Sequence, residues 1–164
     1  SRRQRQMCIR DRYMFGDNIL VAPILNDEGI AEYYVPEGKW TDIITGKVLE
    51  GGKWYKHKCS YFEIPALAKP NSIIAYGNFE RQIEYDYLEG TTFTIYELED
   101  GKSTVCPIYD TEANKVFELT ATRHGNKIEC EYTDTKASFK IAVANTDKTV
   151  EIAPNFSGKV IIEL

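Results

Sequence analysis

The chain has 164 residues, of which 43% are hydrophobic, and it carries a formal net charge of −5 with a pI near 5.2. This is enough apolar material for one ordinary domain or two small ones with packed cores. The acidic balance, with no basic patch beyond the first twelve residues, argues against nucleic acids and membranes as partners. Eleven Tyr and seven Phe residues, with Gly and Pro at short intervals, favour an all-β class.

Residues 1–12 differ in composition from the rest, because they hold five arginines and show almost no apolar periodicity. Such a segment is typical of a disordered basic arm or of a polyanion-binding tail. It also resembles the in-frame translation of a transposase adapter used in sequencing libraries, and we favour this third interpretation. We therefore predict that residues 1–12 are a non-native scar outside the fold, with the natural N-terminus missing.

The stretch from Tyr13 to Leu25 opens the β-structure. Gly16-Asp17-Asn18 is a turn signal, and we expect Asp17 to fix the turn through hydrogen bonds to the local backbone. The apolar run Ile19 to Leu25 is short, rich in β-branched residues and bounded by turn formers, which predicts a strand buried on both faces. Pro23 marks a bulge or a sheet edge near its end.

Turn pairs and alternating residues continue along the whole chain without a helical period, which is the pattern of antiparallel sandwiches. We predict a first β-sandwich over residues 13–78, closed by a strand at Ser72 to Tyr76. A second β-sandwich over residues 79–164 follows a boundary near Gly77-Asn78. The predicted strands lie at residues 32–36, 39–43, 53–58, 61–64, 72–76, 91–98, 103–108, 115–122, 127–132, 138–143, 149–152 and 159–162.

Several of these segments carry a resemblance to a known family. Tyr13-Met-Phe-Gly-Asp-Asn-Ile-Leu-Val-Ala-Pro-Ile24 resembles the segment that, in glycoside hydrolase family 31, follows the (β/α)8 catalytic barrel and begins the first C-terminal β-sandwich. Tyr33 to Trp40 and Ala68 to Ala75 follow in the family's order. Tyr96 to Lys102 and Phe117 to Asn126 are similar to the last domain of its α-xylosidase branch.

The resemblance implies the C-terminal part of a retaining α-xylosidase or α-glucosidase, a glycosidase of carbohydrate metabolism that removes terminal α-linked xylose or glucose with two barrel aspartates. Those aspartates lie upstream of the Tyr13 motif and nothing here matches them. The resemblance therefore assigns no catalytic, substrate-binding or metal site to this chain and implies no cofactor.

The implied partners are the protein's own catalytic barrel, the carbohydrate substrate bound by that barrel, and further subunits of a homo-oligomer. We expect the fragment alone to be inactive and structural, and to expose an apolar patch where the barrel docks. The alternative is a stand-alone carbohydrate-binding β-sandwich module.

The residues themselves offer few sites for chemistry. Glu84 and Asp86 share a strand face at a spacing suited to acid/base work, but a solvated strand gives the same pattern. His57 and Cys59 are the only pair at zinc-ligand spacing, and two ligands do not make a site. His124 lies in a hairpin turn without recognisable triad partners.

The glycines and cysteines argue against nucleotide binding and against a paired-cysteine motif. Gly51-Gly52 and Gly101 lack the strand-to-helix context of a phosphate loop, which argues against nucleotide binding. Outside the basic segment, which contains Cys8, the cysteines are odd in number and form no Cys-x-x-Cys pair. We expect free thiols and a cytoplasmic, reducing compartment; these cysteines are Cys59, Cys106 and Cys130.

Aromatic side chains are the remaining candidates for an independent function, because sugar rings stack on flat aromatic surfaces. Packing in the sandwich cores, or against the absent barrel, accounts for the same residues. We carry both interpretations forward for Trp40, Trp54, Tyr55, Tyr85, Tyr87 and Tyr96.

Overall fold

The computed structural model of the chain describes residues 11–78, 87–133, 136–154 and 158–164. These ranges contain fifteen β-strands. No helix within them is long and apolar enough to cross a membrane. The chain divides into two compact units, Ser1–Pro70 and Asn71–Leu164.

The first unit is built from a five-stranded sheet and a two-stranded sheet. The larger sheet has the order β1-β2-β7-β4-β5 and is antiparallel throughout, while β3 and β6 form the smaller antiparallel sheet. The strands are β1 (Tyr13–Phe15), β2 (Ile19–Val21), β3 (Ile30–Val35), β4 (Lys39–Asp42), β5 (Val48–Glu50), β6 (Lys53–Lys58) and β7 (Ala66–Ala68).

The core of this unit lies between its two sheets. Leu20, Leu67 and Trp40 project from the larger sheet, and Tyr33 and Val35 project from β3. Alternate residues of each strand point to opposite faces, so β3 shows a regular change between buried and less buried side chains.

The second unit is a sandwich of two four-stranded sheets, with the orders β14-β13-β9-β8 and β10-β11-β12-β15. Its aromatic core holds Phe93, Phe117 and Phe139, whose ring centroids lie 5.1–5.6 Å apart. The strands are β8 (Ser72–Tyr76), β9 (Thr92–Tyr96), β10 (Ser103–Tyr109), β11 (Lys115–His124), β12 (Lys127–Tyr132), β13 (Phe139–Val143), β14 (Thr149–Ile152) and β15 (Lys159–Glu163).

The all-β prediction with two successive sandwiches is confirmed, with one departure from antiparallel pairing. β9 and β13 run parallel, with Thr92 opposite Lys140 and Ile95 opposite Val143. The reason is connectivity: β10, β11 and β12 form part of the opposite sheet before the chain returns to β9. A long crossover of this kind permits parallel neighbours, whereas a tight hairpin does not.

Two local assignments differ from the sequence analysis. Ser72–Tyr76, which was expected to close the first unit, pairs with β9 and contributes Ile73 to the second core. The turn signal at Gly77-Asn78 therefore belongs to a connection within one sheet. Residues 61–64, expected to be a strand, form an irregular turn in which Glu63 N donates to Ser60 O.

Candidate functional site

A groove of about 610 Å³ opens between the two sheets of the first unit. β3 and β6 line one side with Tyr33, Tyr55 and His57, and the opposite side includes Asp42 and Leu49. Residues 55, 57 and 59 face inward because they alternate with the outward-facing residues of β6. The Tyr33 ring lies 6.2 Å from that of Tyr55, and His57 meets its edge at 6.0 Å.

Burial and hydrogen bonding shift the pKa values of three groups that line the groove. Burial, with a further contribution from Asp42, raises the pKa of Tyr33 to about 12. Burial and then the Glu63 carboxylate raise the pKa of the Cys59 thiol. Both groups stay neutral at neutral pH, so neither offers an anionic nucleophile. Glu63 itself accepts hydrogen bonds from Ser60, which lower its pKa.

His57 and Cys59 both line this groove, as their spacing along β6 requires. Within the described ranges, no three His, Cys, Asp or Glu side chains converge where they could hold a metal ion. Structural zinc sites use four ligands. Cys59 is buried, as the packing interpretation expects, whereas His57 is exposed.

The other acidic and histidine candidates are not brought together. Asp17 lies in the predicted turn, where Gly16 has a φ of +63°. Its role in fixing that turn stays a prediction. His124 is exposed at the end of β11. Glu84 and Asp86 lie outside the described residues.

Next to His124, the sequence analysis missed a structural residue. Arg123 donates from Nη1 to Leu98 O at 2.8 Å and from Nε to Gly125 O at 2.9 Å. Asp100 Oδ1 accepts from Gly125 N at 2.6 Å. This cluster ties the β11–β12 turn to the turn before β10. A charged residue at a strand end gave no signal of it, because its main partner is far away in sequence.

The aromatic candidates within the described ranges lie in different surroundings. Trp40, 4% exposed, belongs to the first core, and Tyr55 faces the same interior. Trp54 points outward from β6 and is 56% exposed. Tyr96 is buried in the second unit, where its hydroxyl lies 2.7 Å from that of Tyr76. Tyr87 is half-buried in that same unit and Tyr85 lies outside the described residues.

Exposed apolar side chains concentrate in the first unit. All three residues of β1 are exposed, with Phe15 67% accessible. The turn after β6 carries Tyr61, 98% exposed, and Phe62, whose rings meet edge to face with centroids 5.5 Å apart. β1 is also an edge strand, with one side of its backbone unpaired in the sheet. Such surfaces mark sites of association.

Each of the two units matches a known family of protein domains. Residues 2–74 match the glycosyl hydrolase family 31 C-terminal domain, and residues 86–164 match the C-terminal domain of the α-xylosidase YicI. The first match includes most of the basic segment, whose non-native origin stays a prediction.

Individual proteins with similar sequences are consistent with these family matches. α-Xylosidase XylQ from Lactiplantibacillus pentosus is 30% identical over 87% of this chain and 19% of its own length. α-Glucosidase 2 from Bacillus thermoamyloliquefaciens is 36% identical over 61% of this chain and 13% of its own. The chain thus spans about a fifth or less of these relatives. The crystal structure of an α-xylosidase from Xanthomonas citri has a TM-score of 0.71 over 94% of this chain and 19% of that one, at 16% identity, which shows a shared fold.

Proposed function

This chain belongs to glycoside hydrolase family 31, and from that premise we propose that it is the non-catalytic C-terminal part of a retaining α-xylosidase or α-glucosidase. Its two sandwiches support the barrel that hydrolyses terminal α-linked xylose or glucose. The pair of carboxylic acids required for double displacement belongs to that barrel. The enzyme acts in the cytoplasm, and its subunits form a homo-oligomer.

The observation that carries the proposal is an uncharged cross-strand row on the outer face of the five-stranded sheet, although Lys39 and Glu50 share that face at its β4–β5 edge. One cross-strand row runs Phe15–Ile19, Ile19–Ala68, Ala68–Thr41 and Thr41–Val48. Directly opposed residues point to the same face of a sheet, so this row shares one face. It contains no charged residue.

The alternate residues of the same strands face the core described above. Leu20 opposes Leu67, and Trp40 opposes Leu49. An uncharged row on the face opposite the core is suited to packing against a further layer. The ends of the first row are accessible, since Phe15 is 67% and Val48 39% exposed. Because Thr41 and Ala68 in the middle of the row are already buried within this chain, we assign its exposed β1 end to contact with the barrel.

The position of β1 in the sequence supports this assignment. Relatives are about five times longer than the part that this chain matches, and the matched part is C-terminal by family description. The chain that arrives from the barrel therefore enters at β1. Burying the Phe15 side chain against it would contribute about 1.5–3 kcal/mol.

The first test is long-read sequencing of the source DNA across the junction between Arg12 and Tyr13. We expect the reading frame to continue upstream into a barrel with two strand-end aspartates. A start codon at the junction would contradict the proposal.

The second test uses the full-length enzyme recovered in this way and nitrophenyl α-xyloside and α-glucoside as substrates. Residues 13–164 alone should hydrolyse neither. Phe15→Asp should lower the thermal stability of the full-length enzyme, whereas the control Val105→Asp, at an exposed position of the second unit, should not. Equal effects of the two substitutions would refute the docking face.

A further inference from the structure

We propose that the outer face of the β3–β6 sheet is a carbohydrate-binding site, where Trp54 stacks on the apolar face of a pyranose ring and Glu32 and Lys56 hydrogen-bond its hydroxyls. This site lies outside any catalytic centre. It goes beyond the proposed function and stands independently of it.

The register places the three side chains on one face. Tyr34 is opposite Trp54, and Glu32 is opposite Lys56, one step along the same pair of strands. Residues two apart on a strand share a face and lie about 6.6–6.8 Å apart. Since Tyr33 and Val35 point to the core, this face is the outer one.

Trp54 is held in place and accessible at the same time. The ring of Tyr34 meets it edge to face, with centroids 5.8 Å apart and planes at 64°. Tyr34 is half-buried, whereas Trp54 is more than half exposed, so Trp54 is the ring that is open to a ligand.

The polar pair supplies both kinds of hydrogen-bonding group. Lys56 Nζ lies 3.0 Å from Glu32 Oε2, and both side chains are more than half exposed. A carboxylate accepts and an ammonium donates, so adjacent hydroxyls of one ring can engage the two together. An exposed pair of this kind contributes little to stability, which leaves it free to exchange partners.

The chemistry of the face favours a sugar over a protein partner. Its aromatic row stands directly beside a charged row, and Lys58 follows in the next row opposite Ile30. A typical protein–protein interface buries about 800 Å² on each partner. Glu and Lys are depleted at the centre of such interfaces. A neutral pyranose has one apolar face and a hydroxyl edge, which matches an aromatic ring beside a charged pair.

The experiment is a titration of the chain with isomaltotriose, maltotriose and methyl α-xyloside, followed by tryptophan fluorescence and calorimetry. Trp54 should respond and the buried Trp40 should not, so the signal is expected to saturate with one class of tryptophan. Trp54→Ala should weaken binding by about tenfold or more, the loss expected of one aromatic stacking contact.

Two further variants separate the site from general effects. Glu32→Gln keeps the shape and removes the charge, and it should weaken binding without changing the melting temperature. Tyr109→Ala removes a comparably exposed aromatic side chain from the second unit and should bind as the unaltered chain does. Absence of saturable binding to all three sugars, or unchanged binding by Trp54→Ala, would overturn the proposal. So would protection of Trp54 in the full-length enzyme without sugar, because the face would then be a protein interface.

Discussion

Replacing Arg123 with Ala should destabilise the second unit and leave the first unit unchanged. The guanidinium makes two hydrogen bonds, to Leu98 O at 2.8 Å and to Gly125 O at 2.9 Å. Hydrogen bonds to charged groups contribute about 1.5–3 kcal/mol each when buried, and less where solvent competes. Because Leu98 is buried and Gly125 is exposed, we expect a loss of about 2–4 kcal/mol.

The distribution of tryptophan makes the assay specific to one unit. Both tryptophans, Trp40 and Trp54, lie within Ser1–Pro70, so their fluorescence follows the first unit during urea unfolding. Far-ultraviolet circular dichroism follows both units. Arg123→Ala should change only the unfolding transition of the second unit, which circular dichroism detects and tryptophan fluorescence does not. In a thermal scan, the melting temperature of a unit this small should fall by about 10 °C or more.

Two control variants test whether the hydrogen bonds of Arg123 cause this loss. Arg123→Lys keeps the charge but cannot reach both carbonyls with one planar group, so it should lose about half as much stability. Lys127→Ala removes an exposed ion pair to Glu163 and should cost less than about 1 kcal/mol. If Arg123→Ala costs no more than Lys127→Ala, or shifts the fluorescence transition, the cluster does not hold the second unit together.

Two further predictions concern one glycine and one thiol. A Cβ at Gly51 would lie 1.7 Å from Pro36 O, so Gly51→Ala should destabilise the first unit by more than about 2 kcal/mol in the fluorescence-detected transition. Gly101→Ala, which meets only open space but has a φ of +73°, should cost about 1 kcal/mol, and an equal cost at both sites would contradict the contact. Burial raises the pKa of Cys130 from 9.0 to about 12, so the folded state retains this proton more strongly than the unfolded state. The stability of the second unit should therefore fall as the pH rises from about 9 to 12, and Cys130→Ala should flatten that dependence; an unchanged slope in the variant would rule the thiol out.

Local sequence patterns predicted the positions of most strands. They did not predict which strands pair or which face of a strand is covered, because both depend on residues far apart in the chain. Alternation of polar and apolar residues at positions 39–43 correctly placed β4 at Lys39–Asp42, since a strand packed on one side imposes a period of two. The same rule could not tell whether Trp40 or Trp54 faced inward, because that depends on which sheet covers each strand. β8 was placed in the first unit because the turn residues of a connection within a sheet resemble those of a linker.

The Trp54 face and the Arg123 cluster were harder to predict from the sequence than the fold was. Trp54 was singled out, but its neighbours Tyr34 and Glu32 were not, since cross-strand pairing between β3 and β6 joins residues about twenty positions apart. Arg123 was missed for a similar reason, because Leu98 lies 25 residues before it. Predicting such partners requires the register of strands that are distant in the chain.

The parallel pairing of β9 with β13 has a consequence for synthesis on the ribosome. β8 and β9 emerge early, but the hydrogen-bonding edge of β9 stays open until Lys140 to Val143 have been made and can align beside Thr92 to Ile95. During that interval the nascent sheet presents an apolar strand with a free edge, the state from which strands associate wrongly. The arrival of Phe139–Val143 therefore closes this edge, and a ribosome that stops before β13 is expected to release an aggregation-prone product.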